Sequence, residues 1–265
     1  MTVAVTGARG YVGSRVADAI ERAGGKVLRL GRAEAPLGSE PPAFDGVDAL
    51  VHAAWDFAPH TRREIARVNV DGSVRLVDAA RSAGAERIIF VSTLSAFPGC
   101  PSMYGRAKLD VEEHVRSLGG VAVRPGLVWG RPGGSLYARL AALADRARVL
   151  PVPTGRPLHL AHEDDVADLV ASLALAGVAG DSVMPAAAPS PLTLAEILRR
   201  IGAAHGRTIR VIPLPWRVAW AGLRSLELAG NALPFRSDSL RSLVGLQRDP
   251  FGPGGPPSGF RPFSP

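Results

Sequence analysis

At 265 residues, with 46% hydrophobic and 21% charged side chains, the chain can bury one large core or a core with a smaller lobe, which excludes a mainly disordered protein. The net charge of +7 suggests nucleic acid, but the basic residues are scattered and aromatics make up only 6%, so attraction to anionic small molecules and no nucleic-acid partner are expected. The single cysteine, Cys100, excludes an intrachain disulfide and a thiolate metal site, and it fits a reducing, cytoplasmic setting; no metal site is expected.

Thr2 to Thr6 is a short β-branched apolar run, the pattern of a buried parallel strand. No signal peptide is expected before it. Gly7-Ala8-Arg9-Gly10-Tyr11-Val12-Gly13 follows at once, and a helix runs from about Tyr11 to Ala23, stopped by Gly24-Gly25. Strand, glycine turn, helix is the arrangement that seats a pyrophosphate. Gly7 and Gly10 let the backbone come close, while the N–H groups around Tyr11 and Val12 and the positive end of the helix face the phosphates. The second strand, Lys26 to Leu30, ends in Gly31-Arg32 rather than in a carboxylate, with Glu34 two residues on. Arg32 can fork onto a 2′-phosphate and Arg9 can add charge, so NADP is expected ahead of NAD, with NAD remaining possible.

Asp48 to Ala53 is the third strand, and the small residues Ala53 and Ala54 at its end leave room for a ligand before Trp55. His52 reads as a packed strand residue. Arg62 to Ala83 is one long helical stretch or two joined helices, with Val68, Leu76, Val77 and Ala80 inward. Asn69 lies on that stripe, either donating to a cofactor or satisfying neighbouring backbone. Arg87 to Val91 is a strand whose carboxyl end carries Ser92, Thr93 and Ser95. Helices are expected to about Leu118, over Ser135 to Ala147 and over Val166 to Ala176, with strands at Val121 to Arg124 and Ile209 to Ile212. The longest apolar stretch, Val166 to Gly180, is too short to span a bilayer and carries Asp168, so no membrane partner is expected. Thr193 to Glu196 is a capping box. Trp216 to Leu228 is amphipathic, with Val218, Leu223 and Leu226 on its apolar side, and 249–265 lacks periodicity and reads as a loosely ordered tail.

Tyr104 and Lys108 are four apart on one helical face. A cation there favours the phenolate, lowering the tyrosine pKa from about 10 so that it can give and take a proton. Of the 31 basic residues only Lys26 and Lys108 are lysine. A compact ammonium that reaches both a tyrosine and a ligand hydroxyl is not replaceable by a guanidinium.

Together, the glycine turn, His52-Ala53-Ala54, Asn69 to Ser73, Val91-Ser92-Thr93, Tyr104 to Lys108, Arg124-Pro125-Gly126 and His162 to Ala167 resemble the short-chain dehydrogenase/reductase superfamily, in its extended epimerase/dehydratase branch. The resemblance covers about residues 1 to 175. It implies an α/β fold with a Rossmann-type doubly wound parallel sheet and a small C-terminal substrate lobe. The expected layout is a dinucleotide-binding domain over 1–175 (131–160 partly in the lobe) and the lobe mainly over 176–248. The resemblance makes Tyr104 the general acid/base and has Lys108 bind the nicotinamide ribose. Thr93 bonds the reacting oxygen, with Ser95 the alternative. Pro125, Ala53, Ala54 and Asn69 fall on the cofactor side; Trp55 and Ser95 fall on the substrate side. The expected activity is an NAD(P)-dependent oxidoreductase or epimerase acting on a small hydroxyl or carbonyl substrate, with nucleotide sugars among the candidates. The alternative is a cofactor-binding sensor or scaffold without chemistry. The resemblance also makes a homodimer an expectation.

Overall fold

The computed structural model describes residues 1–131, 133, 135–177, 182–231, 235–247, 249–252 and 255–265. Its strands are β1 (Thr2–Thr6), β2 (Lys26–Leu30), β3 (Ala49–His52), β4 (Arg87–Val91), β5 (Val121–Pro125), β6 (Leu127–Trp129), β7 (Val149–Thr154), β8 (Leu160–His162), β9 (Ser182–Ala186) and β10 (Arg210–Pro215). The helices are α1 (Tyr11–Arg22), α2 (Arg62–Ile65), α3 (Asp71–Ser82), α4 (Met103–Ser117), α5 (Leu136–Arg146), α6 (Glu163–Ala176), α7 (Leu194–Ala204), α8 (Trp216–Leu228) and α9 (Ser237–Val244). A π-helical turn, Ala66–Val70, joins α2 to α3.

Six strands make one parallel sheet in the order β2-β1-β3-β4-β5-β9. Strand side chains alternate between faces, and both faces are apolar here because helices cover both. Val3, Val5, Val51, Ile89, Val91 and Val123 point to one side, into a core shared with Val16 and Ile20 of α1 and Val166 and Val170 of α6. Ala4, Leu50, Ile88 and Phe90 point to the other, against Leu76 and Val77 of α3 and Val111 and Val115 of α4. Each such side chain contributes roughly 1.5–3 kcal/mol by burial. The chain passes from β1 to β2 on one side and returns to β3 on the other. The crevice at the carboxyl ends of β1 and β3 is therefore the switch point where such sheets bind ligands.

The lobe has its own core. The parallel pairs β6–β8 and β7–β10 pack with α5 and α7 around Trp129, Tyr137, Leu140, Ile197 and Ile201.

Three expectations change. The sheet continues past residue 175, because β9 pairs with β5 in register from Val121↔Ser182 to Pro125↔Ala186. The 249–265 segment has no regular structure yet is docked. Phe263, 6% exposed, joins the lobe core, Phe251 and Phe260 pack on the sheet core, and Arg261 pairs with Asp165 at 2.6 Å. Aromatic anchors hold irregular backbone that a search for periodicity passes over. Finally, no residue of α8 is buried. Val218 is 58% and Leu226 47% exposed, and of the expected apolar side only Leu223 is half-buried.

Candidate active site

The glycine turn sits at the switch point. Gly7 has φ +67°, and a Cβ there would come within 2.8 Å of Ala54 N and 2.9 Å of Ala53 C, so the turn lies directly against the end of β3. A Cβ on Gly13 would lie 2.3 Å from Gly7 O, so α1 rises straight out of the turn. Gly10, exposed, begins α1 and has no side chain to spend on the helix's first N–H groups; Tyr11 and Val12 are half-buried behind it. This bare, positively polarised backbone fits a dinucleotide pyrophosphate.

Behind the turn lies a cluster that sequence reading did not single out. Glu163, buried at the start of α6, takes Arg15 Nη2 at 3.1 Å and Arg131 N at 3.2 Å. Arg131 Nη2 donates to Ser14 Oγ at 2.6 Å and to Tyr11 O at 2.9 Å. Burial and then Glu163 push the Tyr11 phenol above its usual range, so Tyr11 stays protonated and structural. The only sequence signal was the run Glu163-Asp164-Asp165.

At the end of β2, Glu34 is nearer than its position suggested. Its Oε2 accepts from Gly31 N at 2.9 Å and its Oε1 pairs with Arg9 at 2.5 Å. Arg32 pairs with Asp56 at 3.2 Å. Both expected phosphate-binding arginines therefore carry carboxylate partners, and both remain largely exposed.

His52 is fully buried, with Nδ1 2.7 Å from Thr6 Oγ1 and Nε2 2.8 Å from Ser73 Oγ. Burial, with Lys108 adding to it, drops its pKa to about 3, so it is a neutral bridge between β1, β3 and α3. Asn69, in the π-helical turn, is spent on backbone: Oδ1 accepts from Asp56 N at 2.8 Å and Nδ2 donates to Asp56 O at 2.9 Å. It fixes the loop carrying Trp55 and Asp56. Pro125 O accepts from Leu94 N at 2.9 Å and so holds the start of the loop after β4.

Tyr104 stands in the first turn of α4, with the Thr93 hydroxyl as the polar neighbour of its own. Burial pushes its pKa up to about 12 and Thr93 pulls against that. The expected depression by Lys108 is absent, because that ammonium is engaged elsewhere. Lys108, 3% exposed, donates from Nζ to Val91 O at 2.8 Å and lies 4.2 Å over the Trp55 ring and 4.6 Å over the Phe90 ring. Burial lowers its pKa to about 7, with Glu112 opposing. Thr93 Oγ1 also accepts from Ser95 N at 3.2 Å, whereas Ser95 Oγ donates away to Ser242 O at 3.3 Å. Of the two candidate hydroxyls, Thr93 is the one that lowers the Tyr104 pKa, while Ser95 turns away.

Trp55 meets the Tyr104 ring edge-on at 5.6 Å, and Phe57, which is 72% exposed, stacks on it at 6.1 Å. Phe57 was missed in the sequence; its one signal is an aromatic two residues beyond Trp55. Beyond Leu94 a cleft of about 400 Å³ opens towards the lobe, lined by Arg156, Pro157, His159, Leu246 and Gln247 among others. Among the described residues no cluster of His, Cys, Asp and Glu could hold a metal ion, and no helix is long and apolar enough to cross a membrane.

The model of the NAD dependent epimerase/dehydratase family matches residues 3–182. A ceramide reductase of Caulobacter vibrioides is 34% identical over 80% of this chain and 73% of its own length. An uncharacterized protein of Mycobacterium bovis is 28% identical over 93% of this chain, which spans only 28% of that longer protein. The crystal structure of a dTDP-4-dehydrorhamnose reductase from Bacillus anthracis in complex with NADP superposes with TM-score 0.69 at 15% identity, covering 91% of this chain and 97% of that one, a likeness of fold.

Proposed function

Since the chain belongs to the NAD-dependent epimerase/dehydratase family, we propose that it is an NAD(P)-dependent reductase of a small carbonyl substrate, with Tyr104 as its general acid/base. The observation that carries this reading is Tyr104 with Thr93 as its polar neighbour, one helical turn from a buried Lys108 and with its ring on Trp55, which follows the Ala54 that meets Gly7. That the relative 34% identical to this chain is a ceramide reductase favours reduction over epimerisation.

When bound, the nicotinamide supplies the hydride. The chain's own residues do the rest. Gly7, Gly10 and the start of α1 hold the pyrophosphate, and Ala53 and Ala54 keep the crevice open. Tyr104 gives its hydroxyl proton to the substrate oxygen as the C=O double bond becomes C–H and O–H, and Thr93 donates a hydrogen bond that orients that oxygen. A phenol whose pKa lies near 12 is a ready proton holder, and reduction needs the protonated form. For Lys108 to favour the phenolate, its ammonium must turn from Val91 O towards the ribose side, over the short reach of one side chain. The exposed guanidiniums of Arg9 and Arg32 support NADP ahead of NAD: a 2′-phosphate would exchange with the carboxylates of Glu34 and Asp56. The substrate enters by the cleft between Leu94 and the lobe, and Phe57 and Trp55 flank the Tyr104 ring.

The test is NADPH and NADH oxidation over a panel of carbonyls that includes long-chain ketones and 4-keto nucleotide sugars. Tyr104→Phe is expected to lower turnover by about 10³-fold or more while cofactor affinity stays within about twofold of the parent. Full turnover by Tyr104→Phe would overturn the assignment. Tight NADPH binding with no turnover anywhere on the panel would mark the chain as a cofactor sensor.

A further inference from the structure

The first turn of a helix leaves four main-chain N–H groups without intrahelical acceptors. In α4 three of them find side-chain acceptors. Ser102 Oγ accepts from Gly105 N at 3.0 Å. Met103 N and Tyr104 N donate to Asp238 Oδ1 at 2.8 Å and Oδ2 at 3.1 Å. Asp238 comes from the first turn of α9, 134 residues beyond Tyr104.

Asp238 is itself fixed. The preceding residue, Ser237, donates from N and Oγ to the Glu227 carboxylate of α8 at 2.8 and 2.7 Å. The end of α9 touches the same loop again: Ser95 Oγ donates to Ser242 O, and a Cβ on Gly245 would come within 2.3 Å of the Pro101 ring. The Thr93–Tyr104 loop is thus held from the lobe side along the whole length of α9. Leu246 and Gln247, just past α9, line the cleft that starts at Leu94.

We propose that Asp238 is the positioning residue for Tyr104: its two carboxylate oxygens set the register of the first turn of α4 and so aim the Tyr104 hydroxyl at Thr93. The inference rests on the acid/base reading of Tyr104 given above. Asp238 has a second effect through its charge. Asp238 is the charged side chain bonded to the N–H groups of this turn; on α4 itself Arg106 turns to Pro101 O and Lys108 to Val91 O. The carboxylate cancels the positive end of α4, which would otherwise favour the phenolate.

Asp238→Asn keeps the size but loses one acceptor and the charge. Over the same carbonyl panel its kcat is expected to fall about tenfold to a hundredfold, because a misplacement of about 1 Å costs that much. Its Kd for NADPH should stay within about twofold, since it touches no part of the glycine turn. Asp238→Glu, with both oxygens, should recover most of the rate. A second readout needs no substrate. In NMR of ring-labelled tyrosine, with Tyr104 assigned by its loss in Tyr104→Phe, the Tyr104 titration midpoint should move down by roughly 0.5 pH unit in Asp238→Asn. A variant that melts cooperatively, with kcat within about twofold of the parent and an unmoved midpoint, overturns the proposal. If Asp238→Asn does not fold, Asp238→Ser, with one acceptor and no charge, is judged by the same criteria. Turnover by Tyr104→Phe would remove the acid/base reading alone, because the NMR midpoint tests Asp238 independently.

Discussion

A buried histidine with two hydroxyl partners makes the switch point sensitive to acid. His52 is neutral between Thr6 and Ser73, its pKa dropped to about 3. In the unfolded chain it would take a proton near pH 6.5. Between about pH 6.5 and pH 3 the unfolded state therefore binds more protons, so stability is lost as pH falls through that window. Replacing His52 with Gln, which keeps a donor and an acceptor, should flatten that part of the stability–pH curve. Denaturant titrations at a series of acidic pH values measure the slope, and an unchanged slope would mean that another group carries the acid sensitivity. At this scale the sequence was legible wherever partners are close along the chain. Tyr104 and Lys108 could be paired by spacing alone. The direction of Tyr104's pKa could not, because burial is set by Trp55, Phe57 and the lobe rather than by spacing. Glu34 shows the converse: a turn through Gly31 returns a carboxylate that looked two residues too late.

Between elements, one ion pair ties the proposed catalytic helix to the sheet. Glu112 of α4 takes Arg124 of β5 in two-pronged fashion, Nη2 to Oε2 at 2.6 Å and Nε to Oε1 at 2.9 Å, and both side chains are largely buried. Buried pairs stabilise little over an apolar replacement, yet breaking one strands a charge at a cost of about 3–5 kcal/mol. Glu112→Gln alone should therefore cost a few kcal/mol, while Glu112→Leu with Arg124→Leu should recover most of it; denaturation midpoints of the single and double variants settle the comparison. Glu112 also opposes the fall in the Lys108 pKa, so the single variant should make Lys108 deprotonate at lower pH. Element positions were mostly readable, because the sheet strands are short β-branched runs closed by glycines. What could not be read is which elements meet. Asp238 and Tyr104 are 134 residues apart, and no local pattern marks either as the other's partner. The π-helical turn that directs Asn69 to the Asp56 backbone looks like plain helix in sequence.

For the whole molecule, the lobe and the sheet domain are held together by a segment without regular structure. Phe251 and Phe260 sit on the sheet core, Phe263 enters the lobe core between Trp129 and Tyr137 at centroid distances of 5.1 and 6.0 Å, and Arg261 reaches Asp165 of α6. Glycine and proline dominate the stretch, so composition resembles a free tail, and only the three aromatics betray that it is anchored. Its two kinds of contact should differ in weight. The Arg261 side chain is half exposed, and such ion pairs contribute about 0–1 kcal/mol. Phe263 is buried in a closed aromatic cluster, and emptying such a site costs about 3–5 kcal/mol. Phe263→Ala should therefore lower thermal stability markedly while Arg261→Ala barely moves it. Because α9 belongs to the same lobe and holds the Tyr104 turn, Phe263→Ala should also loosen the loop from Thr93 to Tyr104, read as faster amide exchange at Met103 and Tyr104 against an unchanged rate in β1 and β3. Equal melting of the two variants would mean that the segment is held by its charge, and the lobe would then depend on salt concentration rather than on the aromatic cluster.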